Sequence, residues 1–183
     1  MKKLILVLII PFIITIAIYA INNPANLLET KNVTIKDVTP FVYCSILHKG
    51  PYSDIDEAIG TLMQNMRTQN IFPTGGIISI SYKSPAEAAP AELEWEVGFP
   101  VTAQAFIQAP LSKKQWNHKV VAAATHIGSY DTIGDTITFM LAWMDANHYT
   151  QTGPIMEKYL DITSQEIPKE ILRTEIWIPC ERE

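Results

Sequence analysis

Seven side chains in this 183-residue sequence have types and spacings that could do chemistry together. Strand alternation assigns Glu96, Glu157, Glu175, Tyr159, Trp177, Ser79 and Ser81 to one face of a predicted sheet. If that face is open, these are ordinary solvated residues. If the two halves of the sheet curl into a cleft, the same set is an acid-and-aromatic pocket suited to cations. Carboxylates would then offer charge and the rings cation–π contact. A buried Glu175 would select cations, because leaving its charge unpaired is costly. A second chemistry is open to the same residues: Glu175 beside Tyr159 in an aromatic cleft has the means to activate water.

Other candidates carry less. His48 and His126 stand at strand ends before a glycine turn, where a turn-stabilising hydrogen bond competes with ligation or catalysis. His118 and His148 are isolated, and no His or Cys spacing suggests a metal. Cys44 and Cys180 lie in separate apolar runs, so two buried thiols and a single disulfide are both open. Met63, Met66, Met140 and Met144 fall at helical spacing, as core residues do. There is no Gly-x-Ser-x-Gly elbow, phosphate loop or dinucleotide fingerprint, and Gly75-Gly76 reads as a turn. No organic cofactor is implied.

The elements that must position these residues come from an internal repeat. His48-Lys49-Gly50-Pro51-Tyr52 matches His126-Ile127-Gly128-Ser129-Tyr130 at an offset of 78 residues. The same offset pairs Ile55, Ile59, Leu62, Met63 and Met66 with Ile133, Ile137, Met140, Leu141 and Met144, one apolar helical stripe written twice. Glu96 falls on Glu175 once one residue is added. Each copy reads strand, helix, strand, strand, with Ser53/Asp54 or Asp131/Thr132 offering a helix N-cap. Predicted strands cover 41–47, 76–82 and 93–101 in the first copy and 119–125, 154–160 and 173–180 in the second. Residues 102–117 read as the linker. The fold class is therefore α+β: a duplicated β-α-β-β unit with pseudo-twofold symmetry, its helices packed on one face of an antiparallel sheet.

Composition sets the frame. With 48% hydrophobic and 18% charged residues the chain is of a folding type. Residues 1–21 read as an N-terminal transmembrane or signal helix. Lys2 and Lys3 precede an uncharged run from Leu4 to Ile21, long for a cleaved signal and near the lower limit for a span. The lysines place the N-terminus in the cytoplasm and the domain outside as a single-pass membrane protein, or the domain is secreted or periplasmic if the leader is cleaved. Residues 22–37 form a spacer that includes the sequon Asn32-Val33-Thr34 and a short strand at 33–38, and residues 38–183 form the domain, with copies 38–101 and 118–183. The net charge is −5, and no Lys/Arg-rich run offers a footprint for nucleic acid.

The His-x-Gly-x-Tyr pattern, Gly153-Pro154-Ile155-Met156-Glu157-Lys158-Tyr159-Leu160 and Thr174-Glu175-Ile176-Trp177-Ile178-Pro179 together resemble the GyrI-like family, related to effector-binding domains of bacterial multidrug-responsive transcription activators. The resemblance implies a duplicated fold with a ligand cleft between the copies, a small organic ligand of cationic or amphipathic type, and Glu175 as the carboxylate that meets it, with Tyr159 and Trp177 as neighbours. The regulators carry a DNA-binding region before this domain, where here about 37 residues precede it. Some family members hydrolyse electrophiles, and a haem-binding family shares the topology, in which case His48 or His126 would be the tetrapyrrole ligand.

Overall fold

The computed structural model describes residues 32–82, 89, 92–161 and 167–183. The leader at 1–21 lies outside them, as do most of 22–37 and of the loops at 84–90 and 162–168. Among the described residues, no helix is long and apolar enough to cross a membrane.

Nine strands alternate with two helices: β1 (Thr34–Asp37), β2 (Phe41–Lys49), α1 (Ile55–Thr68), β3 (Ile78–Ser81), β4 (Glu94–Pro100), β5 (Ser112–Trp116), β6 (Val120–Ile127), α2 (Ile133–Ala146), β7 (Tyr149–Gln151), β8 (Ile155–Tyr159) and β9 (Arg173–Arg182). They build one antiparallel sheet in the order β1-β6-β9-β8-β3-β4-β2-β5, with β7 paired to the end of β9. The fold is thus α+β, with a large antiparallel sheet and two helices.

The stripes bury as amphipathic helices must. On α1, Ala58, Leu62 and Met66 sink into a cluster with Cys44, Trp95 and Val97. On α2, Ile133, Met140 and Met144 pack on Ala122, Ala124, Ile176 and Ile178. Met63 departs from the expected stripe: one residue beyond Leu62, it turns away from the sheet and is 39% exposed. The two cysteines are free thiols buried in different clusters, Cys44 under α1 and Cys180 under α2. Burial pushes the Cys44 thiol up to about 11, so it is inert at neutral pH.

Each helix is entered through a 3-10 turn rather than a side-chain cap. Asp54 and Thr132 occupy the N-cap positions without capping, because Asp54 is turned to His48 and Thr132 to the Ser129 carbonyl. Gly50 and Gly128 turn the chain before these entries at φ of +143° and +140°, where a side chain would be strained. Asn70 and His148 end the helices in the left-handed region, which gives His148 a structural place.

The region read as a linker contains β5, and the spacer contains β1. These edge strands are repeat mates at the same offset of 78: Thr34 pairs with Ala123 and Ser112 pairs with Ser45. Each lies beside the other copy's first strand, so the halves exchange edges as well as share a sheet. Beneath the sheet, on the face away from the helices, Trp116, Trp177, Tyr43, Val38, Ile78, Ile80 and Met156 form a third cluster. Both faces of the central strands are therefore covered or partly covered. We expect Leu62→Ala, at a fully buried position, to cost about 2–5 kcal/mol in urea unfolding. Met63→Ala on the same helix is expected to stay within about 0.5 kcal/mol.

Candidate functional site

The strand register decides which side chains meet. In β4, Trp95, Val97 and Phe99 face the helices, and their partners in β3 are Ser81 and Ser79. Ser79 in turn pairs with Glu157, while Lys158 pairs with both Ile78 and Glu175. Ser79, Ser81, Glu157 and Tyr159 consequently lie on the helix face, and Glu96, Glu175 and Trp177 on the opposite face. The seven predicted site residues are split between two faces. The sequence reading aligned β8 with β9 by assuming a shared parity, and the register runs one residue out of it.

On the helix face the site lies on the central strip of sheet. α1 covers β2 and β4, and α2 covers β6 and β7, which leaves β3 and β8 between them. Glu157 and Tyr159 are half-buried there. The Tyr159 hydroxyl donates to Glu157 Oε2 at 2.8 Å, and its ring meets Tyr130 edge-on at 5.1 Å. On the other side Tyr52 donates to Ser81 Oγ at 2.7 Å and lies 5.5 Å from the Trp95 ring, which His48 also stacks against at 4.6 Å. Tyr52 and Tyr130 are the repeated tyrosines of His-x-Gly-x-Tyr. The invariance of that position across the two copies was the signal for them, and it was read only as a turn.

Burial raises the Glu157 carboxyl above its ordinary value, with the Tyr159 hydrogen bond opposing. Burial, then the charge of Glu157, holds the Tyr159 phenol well above the usual range. No basic side chain among the described residues forms an ion pair with Glu157. The environment favours a neutral acid and a neutral phenol.

The other two predicted carboxylates are already compensated. Glu175 pairs with Lys36 at 2.8 Å and Lys158 at 2.9 Å. Desolvation pushes its carboxyl up, but the hydrogen bonds from these lysines and the charge of Lys158 outweigh it and bring it down to about 2. Glu96 is 1% exposed, accepts from Ser45 and Tyr82 at 2.6 Å each, and pairs with Lys114. Lys36 and Lys114 are repeat mates, so the same ion pair is built once in each copy. Trp177 packs beneath the sheet with Lys158 at 4.0 Å from its ring centroid. Its repeat mate is Gly98, where a Cβ would come within 2.5 Å of the Cys44 carbonyl.

The histidines serve the turns. His126 bonds Thr136 through Nδ1 at 2.8 Å and faces the Ser129 carbonyl and Thr132 through Nε2, which leaves neither nitrogen for a haem iron. His48 Nε2 meets Asp54 at 3.0 Å, and His118 lies against Trp116 at 4.8 Å. Among the described residues, no cluster of His, Cys, Asp and Glu could hold a metal ion.

The opposite shifts of Glu157 and Glu175 give opposite pH signatures. An acid with a raised folded pKa costs no stability below its unfolded value near 4.5 and destabilises progressively as pH rises through the folded value. Glu157→Gln is therefore expected to raise Tm at pH 8, with the gain vanishing below about pH 4. An acid with a lowered folded pKa stabilises above the unfolded value and loses this as pH falls towards 2. Glu175→Gln is expected to lower Tm at pH 7 and to match the wild type near pH 2. Thermal melts across pH check both.

A family model described as a GyrI-like small molecule binding domain matches residues 31–181. No curated protein matches the sequence. Among solved structures, the C-terminal domain of EcmrR is similar at 17% identity and a TM-score of 0.75, over 85% of this chain and 100% of that one. EcmrR in its DNA complex gives 16% identity and a TM-score of 0.76 over 92% of this chain, which spans 64% of the EcmrR chain. SAV2435 bound to tetraphenylphosphonium is similar at 12% identity and a TM-score of 0.55, over 82% of this chain and 94% of that one. At these identities the structures share the fold, while the family model spans most of the sequence: the chain belongs to the GyrI-like small molecule binding domain family.

Proposed function

We propose that this domain binds organic cations with an aromatic or otherwise apolar body, received on the helix face between Tyr52 and Tyr130 with Glu157 as counter-charge. The observation that carries this reading is the contrast between Glu157 and the other two candidate carboxylates. Glu96 and Glu175 each have a lysine, whereas Glu157 has a phenol and burial. A half-buried carboxyl without a cation is costly to ionise until a cation arrives, which makes the incoming charge part of what the site selects. Tyrosine rings on both sides add cation–π contact worth about 0.5–2 kcal/mol each. The tetraphenylphosphonium bound by SAV2435, a protein of the same fold, is of this chemical class. Glu157 thus takes the role that the family resemblance had given to Glu175.

Tetraphenylphosphonium is the direct probe. In calorimetric titration of the domain at pH 7.5 we expect saturable binding. Glu157→Gln should weaken it about tenfold or more, since it removes one partner of a buried charge pair. Glu175→Gln should leave it unchanged. Equal loss in both variants, or in neither, would count against the site. Turnover of an electrophile, abolished by Glu157→Gln, would instead move the reading to a hydrolase.

The tethering of this domain outside the cytoplasm is part of the same proposal, supported by the uncharged run Leu4 to Ile21 behind two lysines. Expressed whole, the protein should sediment with membranes, resist extraction by carbonate, and be cut by protease added from the extracytoplasmic side. Recovery of the intact chain in the soluble cytoplasmic fraction would contradict it.

A further inference from the structure

The face away from the helices carries a pocket of about 320 Å³, which lies within the usual range for small-molecule sites. It opens where the ends of β3, β4 and β8 meet the start of β2. Phe41, Pro100 and Trp177 supply apolar surface, Gly75 and Gly76 form part of the rim, and Lys158 is its charged side chain. The pocket shares β8 with the Glu157 site, and Tyr159 borders both; its charged side chain, Lys158, points to the opposite face from Glu157.

Charge on this face is unevenly paired. Lys114 pairs with Glu96 and Arg173 with Asp161. Glu175 serves two cations, Lys36 and Lys158. Both ammonium groups also lie over Trp177, at 5.0 Å and 4.0 Å from its ring centroid. The cluster therefore keeps one positive charge in excess beside an apolar pocket, in a chain whose net charge is −5. Of the two lysines Lys158 lines the pocket, and its partner carboxylate would keep Lys36 if Lys158 turned to a ligand.

We infer that this pocket is a second ligand site, for a flat organic monoanion such as an aromatic carboxylate, with its ring against Trp177 and Phe41 and its carboxylate on Lys158. A monoanion neutralises the excess charge, and a charge-assisted hydrogen bond from an ammonium is about twice as strong as a neutral one. The site is chemically opposite to the Glu157 site, so one domain holds an acid on one face and a cation on the other, on consecutive residues of β8.

The test uses 2-naphthoate, with 2-naphthol as its neutral counterpart, followed by calorimetry and tryptophan fluorescence. Naphthoate should bind saturably and quench fluorescence, and 2-naphthol should bind about tenfold more weakly or not at all. Lys158→Met should weaken naphthoate about tenfold, and Lys158→Arg should retain it. Lys36 still neutralises Glu175 in both variants, and an unchanged cooperative thermal melt serves as the check that the fold persists. Glu157→Gln should leave naphthoate binding unchanged. Absence of saturable naphthoate binding to the wild type, equal affinity in Lys158→Met, or loss in Glu157→Gln would each overturn the inference. None of these outcomes depends on whether the cation site exists.

Discussion

The pairing of β3 with β8 joins the two halves, and its register leaves little freedom to the rest. Ser79 lies directly opposite Glu157, and these two residues are repeat mates. In an antiparallel pair of equivalent strands that can happen only where the pseudo-twofold axis crosses the sheet. A symmetric duplication would put two carboxylates, or two serines, face to face at this point. Two carboxylates at adjacent cross-strand positions repel, and two serines offer no charge. The pair found is one of each, so the domain carries a single carboxyl group at its centre. The tyrosines that flank it keep the symmetry of the repeat, but their partners differ: Tyr52 donates to Ser81 and packs on Trp95, whereas Tyr130 donates to the Asp161 carbonyl and packs on Tyr159.

From the same pairing, alternation along β8 sends Glu157 and Tyr159 to one face and Lys158 to the other. The two faces then acquire different electrostatics. On the helix side the carboxyl is surrounded by phenols and apolar surface, and its ionisation waits on a partner. On the far side each copy builds a lysine–glutamate pair through an exchanged edge strand, Lys36 from β1 and Lys114 from β5. These pairs fasten each edge strand to the opposite half and leave their carboxylates spoken for. Separation of a compensated acid from an uncompensated one is what singles out Glu157 in the proposed site.

Much of the fold was legible in the sequence, because a duplicated apolar stripe and a duplicated turn are strong, mutually consistent signals. The helices, the six principal strands and the turn roles of His48 and His126 follow from them. The site was less legible for a definite physical reason. This sheet is apolar on both faces, so alternation within a strand shows two sets of residues without showing which set faces the helices. Ile78 and Ile80 look like core residues and are core residues, but of the cluster beneath the sheet. The parity of β8 relative to β9 is set by the register across a long connection, which no local pattern encodes. The edge strand in the linker was missed because Ser112–Trp116 is polar and short, although Lys36 and Lys114 at the repeat offset would have revealed it.

The central claim is that the uncompensated carboxyl on the pseudo-twofold axis is where a cation is received. A crystal of the domain soaked with tetraphenylarsonium tests this most directly, because arsenic marks its own position by anomalous scattering. The account predicts a peak on the helix face, beside the Glu157 carboxylate and within about 6 Å of the Tyr52 or Tyr130 ring, the reach of a cation–π contact. A peak on the opposite face beside Glu175 and Trp177, with none at Glu157, would contradict it.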